Sequence, residues 1–458
     1  MVSFYKPGKS GKAGTNRHTS NQHVKSQDRG GQPAQSRSVT IDSWDWQGLG
    51  VSRQHPVTFV DGALPGETCD VRIVKQQKNV AYATAIKVTE PSALRRTPFC
   101  PIADKCGGCQ LQHVHADEAL ALREQALDSL WKKQLGLNDI PWQPALTGNH
   151  PAYRRKARLA VDARDSNAVR IGFRERRGKQ VVDVESCPVL VTALNDLLPE
   201  LRDVLMGHEG IRHVGHVSLL RGDNCSQVTV KITRPISQTM RDALTAFGEK
   251  LKVNVQLEGK DGNFQMLHDE APVTCETEPG LYIAPQANDF VQVNREVNQQ
   301  MISQAMAWLE PKPEERIADW FSGLGNFSLS LARRGAHVQA VEGVSEMVQR
   351  ARANARKQGV ENIDWLHLDL TKPHVIKQAL STGFDKVLLD PSREGALEVC
   401  EALAGSRTKK ILYVSCNPST WTRDAKVLLD SGYKMDKVGV LEMFPYTRHL
   451  EVMALFTQ

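Results

Sequence analysis

A cysteine at the end of a strongly apolar run is the residue of this chain best placed for chemistry. Ile411-Leu412-Tyr413-Val414 reads as a buried strand, and Ser415-Cys416-Asn417-Pro418 follows it, so Cys416 is delivered to the rim of a sheet, where α/β enzymes keep their reacting groups. A thiol there is either a small core hydrophobe or a nucleophile, and Asn417-Pro418 turns the chain away from the strand. Its company favours the nucleophile: Gly323-x-Gly325 upstream, Asp390-Pro391-Ser392-Arg393 between the two, and Glu451 near the C-terminus.

The Gly-x-Gly turn lies in Ser322-Gly323-Leu324-Gly325-Asn326-Phe327, and Glu342 ends the next strand, where an acid accepts hydrogen bonds from ribose hydroxyls. Ser328 stands where a dinucleotide fingerprint has its third glycine, which counts against a pyrophosphate on the helix. S-adenosylmethionine has no phosphate to cradle and fits better, with Asp369 near the adenine. Enzymes that methylate exocyclic amines place an aromatic after Asp-Pro-Pro or Asn-Pro-Pro, whereas this chain has Ser392-Arg393 after Asp390-Pro391 and carries its cysteine on the following strand. That combination points to uracil. Uracil C5 is too weak a nucleophile to accept a methyl group unaided, but a thiolate adding to C6 makes the ring an enolate whose C5 can attack. A base must then remove the C5 proton. Glu451, in Phe444-Pro445-Tyr446-Thr447-Arg448-His449-Leu450-Glu451, is the candidate; the competing reading is an exposed carboxylate in a C-terminal hairpin.

These residues need a scaffold. From about residue 286 helix and strand alternate: Ile317-Ala318-Asp319-Trp320-Phe321, His337 to Val341, Asp364 to Leu368, Lys386 to Leu389 and the Cys416 strand, each ending in a polar residue, describe a doubly wound sheet. Before it, Cys100, Cys106 and Cys109 crowd around the Gly107-Gly108 turn, ahead of a helical stretch reaching about residue 135. Three thiols so close suggest a metal or cluster site with Cys187 as fourth ligand, since it follows a strand and precedes Pro188; spacing leaves zinc and iron-sulfur both open. Cys69, Cys225, Cys275 and Cys400 sit singly and read as inert core residues. The basic stretch Tyr153-Arg154-Arg155-Lys156-Ala157-Arg158, with Arg174, Arg176, Arg177 and Lys179, reads as a phosphate-contacting face or a solvated one. Residues 39 to 90 alternate short β-rich segments with turns at Gly48-Leu49-Gly50, Asp61-Gly62 and Pro65-Gly66, as a small barrel would.

At 458 residues the chain has room for about three modules. Its net charge of +6 is the net charge of residues 1–38 alone, where seven basic residues face only Asp28; this stretch reads as a disordered tail that either meets polyphosphate or merely solubilises. No apolar stretch approaches the roughly 18 residues that span a bilayer, so a cytoplasmic, monomeric protein without a membrane partner is expected. The expected organisation is a multidomain α/β protein: tail 1–38, OB-like barrel 39–97, central α+β domain 98–285 with the metal site, and Rossmann-like methyltransferase domain 286–458.

Taken together the motifs resemble the RNA uracil-C5 methyltransferase family. The likeness rests on Trp46-Gln47-Gly48-Leu49-Gly50 and Gly62-Ala63-Leu64-Pro65-Gly66-Glu67, a TRAM-barrel signature, on the four cysteines, and on Phe290-Val291-Gln292-Val293-Asn294, Ser415-Cys416-Asn417-Pro418 and Thr447-x-His449-x-Glu451. It implies a [4Fe-4S] cluster on Cys100, Cys106, Cys109 and Cys187. It implies S-adenosyl-L-methionine contacts by Gln292, Phe321, Asn326, Glu342, Asp369 and Asp390, with Cys416 as nucleophile and Glu451 as base. Ser392 departs from the family's usual second proline. Barrel and cysteines together resemble the branch acting on 23S ribosomal RNA; dual-site rRNA enzymes share that architecture. A non-catalytic RNA-binding assembly factor and a zinc-dependent nucleic-acid enzyme are the competing functions.

Overall fold

The computed structural model describes residues 36–458. The basic tail therefore lies outside the described residues except for its last three, and these are already strand. The first sheet has the order β1-β5-β6-β4-β3-β2, with β1 Ser36–Thr40, β2 Ser43–Trp44, β3 Gly50–Ser52, β4 Val57–Asp61, β5 Thr68–Gln76 and β6 Val80–Glu90. Period-two alternation gives it one apolar face, which buries Val39, Val60, Cys69, Val71 and Ala83. Gly50 is needed there because a Cβ would come within 2.9 Å of Ile41 Cγ2. The buried Glu67 accepts from Leu64 N (2.8 Å) and Ser92 N (3.1 Å) and pairs with Arg95, closing the sheet onto the segment that leaves it.

The second sheet runs β13-β12-β11-β10-β7-β8-β9, from β7 Lys156–Asp162, β8 Arg170–Arg174, β9 Val181–Asp183, β10 Val214–Arg221, β11 Ser226–Ile232, β12 Asn254–Glu258 and β13 Phe264–His268. The helices Leu198–Met206 and Gln238–Leu251 bury Leu201, Leu205, Leu244 and Phe247 in one core with Val217, Leu219, Val228 and Val230 of its strands. A hairpin follows, β14 Cys275–Glu278 and β15 Leu281–Ile283.

The third sheet has the order β18-β17-β16-β19-β20-β22-β21. β16 Arg316–Trp320, β17 His337–Glu342, β18 Ile363–His367, β19 Lys386–Leu389 and β20 Lys410–Ser415 are parallel, as their near-continuous apolar runs require of strands covered on both faces. β21 Lys434–Leu441 and β22 Glu451–Thr457 complete it antiparallel, and β22 inserts between β20 and β21.

Packing crosses the boundary expected at 285. The helix Ala116–Leu135 ends at Gly136 in the left-handed conformation and stacks Trp131 on Trp421 (4.5 Å) and Trp142 (5.2 Å), within the core of the third sheet. The Trp131 indole donates to Thr422 Oγ1 at 2.8 Å. Cys275, Leu281 and Ile283 of the β14–β15 hairpin share a core with the helix Arg295–Leu309. Cys69, Cys225, Cys275 and Cys400 are all buried, as their isolated positions suggested. Among the described residues no helix is long and apolar enough to cross a membrane.

Candidate active site

The sheet order brings Cys416 and Glu451 together. β20 and β22 are antiparallel with Ser415 opposite Val452, so the next pair beyond the strand end is Cys416 opposite Glu451. Asp390 follows β19, the parallel neighbour of β20, so all three stand at one edge. Glu451 is 4% exposed and its Oε2 has no hydrogen-bond partner, which excludes the exposed-hairpin reading. Burial first, then the charge of Asp390, pushes its carboxyl up to about 8. Burial, with Asp319 behind it, raises Asp390 to about 7. The Cys416 thiol is pushed up to about 12 by burial and by Glu451 and Asp390, against which Arg393 acts. The resting group is therefore a thiol, and its ionisation requires positive charge or neutralised carboxyls nearby.

Arg393 ties this corner together. Its carbonyl accepts from Asn417 Nδ2 (2.9 Å) and Thr420 Oγ1 (3.0 Å), joining the loop after Asp390 to the loop after Cys416. Its guanidinium lies 3.2 Å from His449 Nδ1. Burial and Arg393 lower His449 to about 4, so the imidazole is neutral at physiological pH. Ser392 is exposed, and its carbonyl closes a turn by accepting from Gly395 N at 3.0 Å.

Of the residues expected at the methyl donor, Phe321, Glu342 and Asp369 stand at or just beyond strand ends, Asn326 lies in the turn after β16 and Gln292 in the loop before the helix Arg295–Leu309. Phe321 has φ +67°, a left-handed conformation unusual for an aromatic, between amides bonded to Val341 O at 2.9 Å (Phe321) and 3.0 Å (Ser322). Gly325 is at φ +91°, and a Cβ on it would lie 2.6 Å from Trp365, so only glycine fits this turn. Glu342 accepts from Gly323 N and Val344 N, both at 3.1 Å. The Asn326 side-chain amide pairs with that of Asn298. Gln292 is buried with its Oε1 unpartnered. Asp369 sits two residues beyond the end of β18, half-exposed, and accepts from Thr371 Oγ1 at 2.6 Å.

Asp319 was not singled out from the sequence, where it is one acid inside an apolar strand. It is 0% exposed, its Oδ1 is unpartnered, and burial raises it to about 7. Ser328 donates to its Oδ2 at 2.5 Å, so the residue in the missing glycine's place positions a buried carboxyl. The mid-strand acid followed nine residues later by a serine was the available signal.

The four cysteines lie near enough to feel one another's charge. Burial raises Cys106, Cys109 (to about 12) and Cys187, and mutual charge adds to it: Cys106 feels Cys100, Cys109 feels Cys187 and Cys106, and Cys187 feels Cys106 and Cys100. Gly107 permits this, because a Cβ would lie 2.7 Å from Arg174 O, and Gly108 N donates to Cys106 Sγ at 3.4 Å. Four half-buried or buried cysteines on the loop around Gly107-Gly108 and the turn at Cys187 offer a donor set suited to a cation that takes thiolates.

Part of the basic stretch is spent inside the protein, while Arg158, Arg174, Arg177 and Lys179 stay exposed. Arg155 is buried and donates through Nε to Gln292 O at 2.8 Å, and Lys156 donates to Asp289 O. Arg176 and Arg177, with Arg448, clasp Asp61 of the first sheet at 2.6–2.8 Å. Burial alone would raise Asp61, but these arginines outweigh it and hold the carboxyl at about 2. Buried carbonyls and a part-buried carboxylate need donors more than solvent does, and Arg158 alone of the Arg154–Arg158 run stays exposed.

Comparison with known proteins shows the family and the fold. The chain is 54% identical over 425 residues to the 23S rRNA (uracil(1939)-C(5))-methyltransferase RlmD of Alteromonas naphthalenivorans, covering 93% of this chain and 90% of the relative. It is 39% identical over 423 residues to the protein of that name from Vibrio vulnificus (strain CMCP6), covering 92% and 96%. The crystal structure of Pyrococcus abyssi tRNA (uracil-54, C5)-methyltransferase with S-adenosyl-L-homocysteine superposes with a TM-score of 0.71 at 21% identity, over 92% of this chain and 100% of that one, and shows that the fold is shared. The model of the tRNA (Uracil-5-)-methyltransferase family matches residues 129–458, and with these relatives it establishes that the chain belongs to that family.

Proposed function

We propose that this chain transfers the methyl group of S-adenosylmethionine to C5 of a uridine in 23S rRNA, the position being the one in its relatives' names. The observation that carries the reading is the Cys416–Glu451 pair, opposed across β20 and β22 beside Asp390. The Cys416 thiol gives its proton to water and its sulfur bonds to C6, which moves the C5–C6 electron pair toward O4 as an enolate. The bound donor supplies an electrophilic methyl on a positively charged sulfur; C5 takes the methyl carbon as the sulfonium bond breaks. Glu451 then accepts the C5 proton, the C5–C6 double bond re-forms and the Cys416 sulfur leaves. A base must be ionised to act, and one held up to about 8 keeps a proton-accepting strength near the working pH.

Gln292, Phe321, Asn326, Glu342 and Asp369 make the donor side of the pocket. Charge coupling to both Cys416 and Glu451 supports putting Asp390 at the junction of donor and uracil. Cys100, Cys106, Cys109 and Cys187 are the residues that would hold a [4Fe-4S] cluster, which would fix the loop of the first three against the turn at Cys187.

RNA with 5-fluorouridine at the target lacks the C5 proton that Glu451 removes, so it should trap the wild type as a protein–RNA adduct surviving denaturation. Wild-type protein that releases this RNA unmodified would overturn the covalent route. In cells lacking the gene, mass spectrometry of 23S rRNA should find one 5-methyluridine missing; full methylation would overturn the assigned substrate.

A further inference from the structure

A second group of ligating side chains lies outside the reaction just described. Asp117, in the first turn of the helix Ala116–Leu135, His150, in the loop leading to β7, and Glu442, just after β21, bring one ligand atom each within 4.8 Å of one another. His150 Nε2 is 3.6 Å from Glu442 Oε2 and 3.8 Å from Asp117 Oδ1. These separations exceed a hydrogen bond and are close to the edge lengths of a coordination polyhedron with metal–ligand bonds of about 2.1 Å. Asp117 and His150 line a cleft of about 320 Å³, with Phe99, Tyr446, Arg96 and His115 around it.

Glu442 provides the independent observation. It is 6% exposed, and its Oε2 is buried without any hydrogen-bond partner. Burial, then the charge of Asp117, pushes its carboxyl up to about 7, with Arg123 opposing. No arginine bonds that oxygen. Arg123 is spent on the carbonyls of Trp46 (2.8 Å), Thr447 (3.2 Å) and Arg448 (2.9 Å). Arg96 lies over the Phe99 ring and 3.1 Å from His115 Nδ1. Two carboxylates and an imidazole facing one point, one of them buried and unsatisfied, form an incomplete polar network in which a cation is the missing member.

The geometry points to a divalent transition-metal site, of the Zn2+ class, on Asp117 Oδ1, His150 Nε2 and Glu442 Oε2. One imidazole with two carboxylates is a borderline nitrogen–oxygen set, suited to Zn2+ and its neighbours rather than to the soft chemistry of the thiol group. The open cleft leaves room for water as the remaining ligand. The site joins three chain segments. One of them, starting at Glu442, runs through Tyr446 and His449 to Glu451, so a cation here would anchor the segment that carries the candidate base to the helix Ala116–Leu135.

The test reads metal content, not methyl transfer. Protein purified anaerobically, with its iron measured, is titrated with Zn2+ and separately with Co2+. One equivalent should bind beyond the iron, and Co2+ should give ligand-field bands without thiolate charge transfer. Asp117→Asn and His150→Gln should lose that equivalent while iron content stays unchanged. Asp117 is 81% exposed, so its substitution leaves the core intact. In the wild type, hydrogen exchange of residues 442–451 should slow on adding Zn2+. Failure to bind any cation beyond the iron, equal binding by Asp117→Asn, or a thiolate charge-transfer band would each overturn the proposal.

Discussion

Glu451→Gln keeps the shape of the side chain and removes both its basicity and its charge, and the two losses have separate readouts. A positioned general base is worth about 10²–10⁴ in rate, so the step that frees the RNA should slow by that factor, about 3–5 kcal/mol of barrier. In a single turnover with labelled donor, the methyl group should therefore accumulate in a denaturation-resistant band of protein and RNA. The second readout is stability. The folded-state carboxyl is raised from its ordinary 4.5 to about 8, by burial first and by Asp390 second. A raised acid favours folding fully below about 4.5, where both states are protonated. That favour is lost as pH rises from about 4.5 through 8, at about 1.4 kcal/mol per unit and on the order of 5 kcal/mol in all. The glutamine has no proton to lose. Thermal midpoints of the two proteins compared at pH 5 and pH 9 should diverge, the variant gaining about 5 °C or more on the wild type at the higher pH. Parallel loss of stability, or product release at the wild-type rate, would refute the reasoning that Glu451 is a buried, unpartnered base.

Cys416→Ala should bind RNA yet form no adduct with 5-fluorouridine RNA and methylate nothing; residual turnover measured with labelled donor would count against the nucleophile. Cys106→Ser should lower iron content and solubility before donor affinity changes, because Cys106 interacts with each of the other three thiols; iron analysis beside a donor-binding isotherm decides it. Asp61→Asn should cost on the order of 2 kcal/mol after discounting for partial exposure, and should make the first sheet more protease-sensitive. Since Asp61 is held at about 2, its contribution is present above the ordinary 3.8 and is lost as pH falls toward 2, so wild type and variant should converge in that window.

What could be read from the sequence, and what could not, follows from the range of the interactions. The parallel strands were legible because burial on both faces leaves continuous apolar runs, and Cys416 was legible because one of those runs stops at it. Glu451 was not legible from its own segment. Its role depends on β22 inserting between β20 and β21, a register that sets Glu451 opposite a residue 35 positions earlier. Two residues of the basic stretch misled for a related reason: Arg155 and Lys156 look like phosphate ligands until the loop at 289–294 presents carbonyls that must be satisfied. Titration behaviour lies further out of reach. Asp319, Asp390 and Glu451 come from three strands with ordinary local sequences, and only their stacking at one buried edge, each raised by burial first and by a neighbouring carboxylate's charge after it, sets their proton affinities near neutrality. The position of the site thus follows from topology, which local patterns reveal. The proton affinities that make the site reactive follow from packing between distant segments, so titrating these carboxyls tests a part of the site that the sequence could not disclose.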